Sequence, residues 1–165
     1  MLFFGHLLEY VIVPYKLEKC PVNGEELDYQ LDLKENMYGA KALGPSMNLS
    51  ETLNENCTYT AKVEVKRGSQ YIEYTEVEGK ACESLDNVMK PAWDRFKQET
   101  KPSVRGCIFN PNSYFLNEFQ MKKDEVKVPI QAEGEFRAEM RLSCDNVEMT
   151  CVKSEFAIRT NDGKK

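Results

Sequence analysis

Sulfur and imidazole groups bound the chemistry open to this chain. Its six cysteines, Cys20, Cys57, Cys82, Cys107, Cys144 and Cys151, are scattered along 165 residues with no C-x-x-C pair. That spacing suits neither a zinc ribbon nor a dithiol redox motif, both of which bring thiols together within a short turn. His6 is the single histidine, so there are no Cys/His ligand pairs and no metal site is expected. What remains is an even set of isolated cysteines, which reads as three disulfides formed in an oxidising compartment. Reduced cysteines buried in a core are the plainer alternative.

Catalysis is poorly provided for. A nucleophilic triad places a histidine between nucleophile and orienting acid, and His6 lies in a terminus that processing could remove. Ser46, Ser50 and Ser154 have no companion such as G-x-S-x-G. Carboxylates are plentiful (Glu25-Glu26, Asp124-Glu125, Glu133, Glu135), and a glycosidase needs only two. They fall in turns and outward strand positions, where a solvated charge is the ordinary role. No enzyme activity and no cofactor are expected.

Charge and targeting narrow the setting. The net charge of −5, from 22 basic and 27 acidic residues, opposes a reader of phosphate backbones, so no nucleic-acid partner is expected. No basic cluster longer than Lys122-Lys123 precedes Lys164-Lys165, which argues against a membrane patch built from charge alone. Asn48-Leu49-Ser50 is a glycosylation sequon, so Asn48 is a candidate glycan site. Asn56-Cys57-Thr58 is another in form, but a disulfide at its middle residue would hinder it. Residues 1–8 are apolar but short and lack a basic leader; they read as the trimmed end of a secretory signal, or as the start of the first strand. No apolar run reaches the roughly 18 residues of a transmembrane helix.

The elements that must carry these groups are mostly strands. Val11, Val13, Tyr15 and Leu17 alternate along a first strand, and Leu27, Tyr29, Leu31 and Leu33 along a second. Tyr59, Ala61, Val63 and Val65 form an apolar row, with Thr58, Thr60, Lys62, Glu64 and Lys66 facing out. Arg67-Gly68-Ser69 is a turn, and residues 71–78 return as the partner. Half-buried strands with one wet face are the mark of antiparallel sheets. The period then changes: Leu85, Val88, Met89, Ala92, Trp93 and Phe96 share a helical face, with Ser84 as the expected N-cap. Pro91 interrupts it at a cost of about 3 kcal/mol if mid-helix, so the helix is expected to be broken or in two parts.

Three strands follow Cys107. Phe115, Phe119 and Met121 are expected on one side of the first. Phe136, Ala138, Met140 and Leu142 line the second, opposite Arg137, Glu139 and Arg141. Asp145-Asn146 makes a turn, and Val152, Phe156 and Ile158 alternate with Lys153, Glu155 and Ala157. At 165 residues the chain is most simply one domain, 9–160, with 161–165 a disordered tail. The whole reads as an all-β, two-sheet antiparallel sandwich or cup with one short helical insertion.

Aromatic and methionine rows are commonly plain core. Met89, Trp93, Phe96, Phe115, Phe119, Phe136, Met140 and Leu142 are nonetheless the candidate ligand-binding residues. Methionine adapts to acyl chains, and Trp93 with Phe96 sits beside a proline break, where a rim gate could lie.

From Cys82 to Ile158 the spaced residues form a recognisable pattern. Cys107 and Tyr114 are followed by Glu118-Phe119, then Pro129, then Gly134, Phe136 and Arg137; Cys151 and Lys153 close it. This pattern resembles the ML lipid-recognition family, in its ganglioside-activator branch, and most the secreted arthropod relatives, some of them chemosensory. The resemblance covers about half of the chain. It implies two immunoglobulin-like sheets splayed around an apolar cup that holds a lipid chain. It also implies a Cys20–Cys151 bridge, with Cys82–Cys107 and Cys57–Cys144 completing the set. Six cysteines permit many pairings, and Cys144–Cys151 across the Asp145-Asn146 turn is a rival. The activator pattern has eight cysteines, and this chain lacks one bridge. The expectation is a secreted, extracellular binder or carrier of a lipid or other long apolar molecule, with a transient membrane contact or a receptor as further partners. The rival reading is an extracellular interaction module with a filled core.

Overall fold

The structure, a computed structural model, describes residues 9–24, 26–35, 41–120, 125 and 133–161. In chain order the elements are β1 (Glu9–Lys19), β2 (Asp28–Glu35), β3 (Lys41–Leu49), β4 (Cys57–Arg67), β5 (Gln70–Lys80), α1 (Ala81–Val88), α2 (Lys90–Glu99), β6 (Asn112–Phe115), β7 (Gly134–Cys144) and β8 (Val147–Asn161). The strands form two antiparallel sheets, β1-β8-β7-β4-β5 and β2-β3-β6. The expected all-β two-sheet architecture is therefore observed. The helical insertion is two short helices in series.

Local chemistry accounts for the hairpins. Gly68 adopts φ 66° at the first position of the two-residue loop between β4 and β5, a place where glycine carries no steric cost. Asp145 and Asn146 both adopt positive φ between β7 and β8, the requirement of the tight turn whose twist matches the flanking strands. Pro91 opens α2 in its first turn, where the missing N–H costs nothing, and Met89 breaks the chain from α1. The two-part helix is thus as expected. Ser84 is not the cap: it lies inside α1, whose first turn begins after Lys80, and no side chain caps it.

Register fixes which side chains share a face. On the large sheet Phe136 lies opposite Val65 and Phe156, and Met140 opposite Ala61 and Val152. The reverse face carries Arg137, Glu139, Lys153 and Glu155. Alternation fails in β1. Its register shifts between Pro14 and Lys16, leaving Tyr15 in a bulge. Ile12, Pro14 and Leu17 then share the face of Phe156 and Ser154, while Val13 joins the opposite one. The expected single row from Val11 to Leu17 is corrected accordingly, because one extra residue reverses the pleat.

β3 is a strand that the local sequence pattern does not announce. Gly44-Pro45 lies inside it and imitates a turn. Pro45 still serves the sheet by accepting a hydrogen bond from Leu116 N at 2.9 Å. The strand through Phe115 and Phe119 also differs: β6 ends at Phe115, and Phe119 meets β3 separately, exchanging two backbone hydrogen bonds with Leu43. Met121 and Pro129 lie outside the described residues, as do His6, Glu25, Asp124 and residues 1–8. β8 runs to Asn161, so the last strand extends one residue into the expected tail.

The disulfides pair Cys20 with Cys151, Cys57 with Cys144 and Cys82 with Cys107, the set named above. Cys57 and Cys144 stand directly opposite in register between β4 and β7. Cys20–Cys151 ties the end of β1 to β8, and Cys82–Cys107 ties α1 to the segment before β6. Three cross-links fit an extracellular protein. No helix among the described residues is long and apolar enough to cross a membrane.

Candidate functional site

The apolar interior is divided. One cluster, Val65, Phe136 and Ile158 with Ile12, Val63 and Phe156, belongs to the large sheet alone. A second gathers Leu49, Val104 and Tyr114 with Leu27, Met47, Leu53 and Phe109 around the small sheet. A third joins Ala92, Leu116 and Phe119 with Met89 and Phe96 under α2. None of these clusters bridges the two sheets, whereas a filled sandwich has one contiguous core. The sheets are tied instead near one margin. Tyr29 Oη donates to the Cys151 carbonyl at 3.3 Å, and Leu27 N donates to the Met149 carbonyl at 3.0 Å.

A cavity of about 230 Å³ lies where the parts converge. β7 contributes Leu142, β3 contributes Pro45 and Met47, and β6 contributes Tyr114. Phe96 and Thr100 come from the end of α2, and Leu27, Leu53, Phe109 and Leu116 from connecting segments. Among the described residues only apolar atoms face the hollow, and none of those lining it is charged. Its size falls between a ~150 Å³ apolar cavity that takes up benzene and the ~300–1,000 Å³ of common ligand pockets.

The apolar surface continues from Leu142 along the same face. Val152, Met140, Ala61 and Val77 form the next cross-strand row. Met140 is 49% exposed and Val77 is also exposed, although both point to the apolar side of the sheet. By contrast Phe136, 2% exposed, is enclosed by its own neighbours: Phe156 stacks on it at 5.7 Å and Tyr74 meets it edge-on at 5.8 Å. So the large sheet packs one end of its apolar face and leaves the middle open.

The candidate residues therefore separate. Phe96 and Leu142 line the cavity, with Met140 one step along the face. Phe115 borders it, but the residue is 53% exposed and shares the row of Ser46, opposite to Tyr114. Trp93 and Phe119 are packed. Trp93, 6% exposed, stacks on Phe96 at 5.8 Å and lies 6.2 Å from Phe109. Phe119 meets Phe96 edge-on at 5.3 Å and carries the Arg95 guanidinium 4.4 Å above its ring. Met89 packs against the same cluster, and Phe136 lies in the large-sheet cluster. The sequence reading missed Pro45, Met47, Tyr114 and the loop residues Leu27, Leu53 and Phe109. Tyr114 had a signal in its place in the quoted pattern; the others come from segments far apart in the chain, and only Pro45 and Met47, two apart on β3, share a strand.

The reverse face of the large sheet holds a wet depression of about 550 Å³. Its charges are matched: Lys16–Glu155 at 3.4 Å, Arg137–Glu64 at 2.6 Å and Lys153–Glu139 at 3.8 Å. The Arg137 hydrogen bond holds the Glu64 carboxyl below the usual glutamate range. At its margin Tyr71 Oη donates to Glu155 at 3.4 Å; burial and a hydrogen bond with Tyr71 push Tyr15 up to about 12. Of the carboxylates weighed above, Glu135 pairs with Lys66 at 3.6 Å, and Glu125 pairs with Arg95 at 2.8 Å. Glu139 lies near Cys20 and Cys151, but those sulfurs are bonded to each other and offer no thiolate. Asn48 is exposed on β3, its amide donating to Asp28 Oδ2 at 3.1 Å. No protein-family model matches the chain, and no curated protein matches it significantly.

Proposed function

We propose that this protein is a secreted carrier of a lipid or other long apolar molecule, held between its two sheets. One observation carries the reading: a wholly apolar cavity with walls from both sheets and α2, continued by a half-exposed apolar row through Met140. Burial of a ligand methylene there contributes about 0.8 kcal/mol. Leaving such a surface to water is unfavourable, and a ligand relieves that cost. The three disulfides support an extracellular setting, where such bonds form and persist. The resemblance to ML lipid-recognition proteins supports the same cargo class. Its arthropod branch points to a chemosensory role, with a pheromone or cuticular hydrocarbon as cargo.

The test is extraction of protein secreted from a eukaryotic host with organic solvent, followed by mass spectrometry. Delipidated protein is then titrated with an uncharged naphthylamine probe. A co-purifying lipid, or probe uptake that a lipid reverses, is the expected result. Protein that is free of lipid and indifferent to the probe overturns the carrier and favours the interaction module.

A further inference from the structure

Thr100 is the single buried polar residue among those described, 4% exposed, and it stands in the cavity wall at the C-terminal end of α2. Its backbone N–H is satisfied by the Phe96 carbonyl at 2.9 Å. Its hydroxyl is not: Oγ1 is shielded from water and has no hydrogen-bond partner. A buried hydroxyl left in that state is unfavourable, and native proteins seldom keep one. The other hydroxyls of the lining are differently placed. Tyr114 Oη donates to the Asn110 carbonyl at 2.6 Å, and Ser46 sits in the row of Gln30 and Phe115, on the other face of its strand. No polar atom is exposed to the hollow, so Thr100 Oγ1 is withdrawn from it. One rotation about its Cα–Cβ bond exchanges methyl for hydroxyl, and threonine commonly occupies more than one such rotamer.

We infer that the cargo is an uncharged amphiphile, an aliphatic chain bearing one oxygen that hydrogen-bonds to Thr100 Oγ1. This rests on the carrier reading and narrows its ligand class. The hydroxyl both donates and accepts, so it serves an alcohol, an aldehyde, a ketone or an ester alike. A carboxylate is disfavoured. No lysine, arginine or histidine is among the described residues lining the cavity, and an anion held at Oγ1, which is shielded from water, would lack a cation. A plain hydrocarbon fills the space but leaves Oγ1 unpaired. The fold thus selects by one oxygen at one wall, and the apolar remainder sets only length and bulk.

Calorimetric titration with 1-octanol, n-octane and octanoate at pH 7 tests this on wild type, Thr100→Val and Thr100→Ser. Valine keeps the shape and removes the hydroxyl; serine keeps the hydroxyl. Thr100→Val is expected to weaken 1-octanol about 2- to 13-fold, the range of one net hydrogen bond, and to leave n-octane unchanged. Thr100→Ser retains the preference for 1-octanol, which guards against a packing effect. Octanoate binds wild type at least about tenfold more weakly than 1-octanol. Equal losses for 1-octanol and n-octane in Thr100→Val, or octanoate binding as well as 1-octanol, overturn the inference while the carrier reading stands. If wild type binds neither 1-octanol nor n-octane, both fall together.

Discussion

Met140 and Phe136 lie four residues apart on one face of β7, yet they should fail in opposite ways when truncated. A fully buried methionine or phenylalanine side chain contributes about 1.5–3 kcal/mol by transfer from water. Met140 is 49% exposed, so folding realises about half of that, and Met140→Ala should cost the free protein only about 1 kcal/mol. In a chain of this length that lowers the thermal midpoint by about 2–4 °C. The other half is gained only when a ligand covers the side chain. Its loss, about 0.8–1.5 kcal/mol, weakens binding about 4- to 12-fold. Phe136 is 2% exposed between Phe156 and Tyr74. Phe136→Ala leaves a cavity and should cost about 3–5 kcal/mol, or about 6–20 °C. Scanning calorimetry and probe titration on both variants give the two axes. If Met140→Ala loses as much midpoint as Phe136→Ala and binds the probe as wild type does, the central row is core and the open-face reasoning is wrong.

Trp93 is buried against Phe96 and Phe109, so Trp93→Ala should lower the midpoint by about 6–20 °C, measured by calorimetry. A near-unchanged midpoint with lost affinity would return it to the role of a gate. The Glu64 carboxyl titrates below its unfolded value, so its pairing with Arg137 stabilises the fold above about pH 4.5 and is lost as pH falls through the lower folded value. Glu64→Gln should flatten that acid limb of the midpoint–pH curve by under about 1 kcal/mol, because the pair is at the surface; an unaltered limb refutes the linkage. Asn48 is exposed and should carry one glycan when the chain is secreted from a eukaryotic host. Mass spectrometry after glycosidase treatment should show one modified site, abolished in Asn48→Gln; modification at Asn56 instead would contradict the expected hindrance at Cys57.

The legible parts of the fold were those written in short-range repetition. Tyr59 to Val65 and Phe136 to Leu142 alternate cleanly because one face of their sheet is wet and charged. Gly68 and Asp145-Asn146 announced their turns because few other residues accept positive φ. Pro91 announced the helix break because proline has no N–H to give. Where the local signal misled, a long-range partner decided the outcome. Pro45 lies in a strand because β2 and β6 flank it, and Tyr15 bulges because β8 holds the residues on either side in different registers.

The amino-acid order alone established an all-β chain with outward-facing charge and apolar rows, since each depends on neighbours a few residues away. It could not establish which rows would be covered. Met140 and Phe136 are alike in pattern, and only the approach of Tyr74 and Phe156 closes one and leaves the other open. Nor could it reveal Thr100, one threonine among several, whose meaning comes from Leu142, Met47 and Phe109 arriving around it from distant parts of the chain. Burial is a property of the assembled surface, and it decides which groups remain for a ligand.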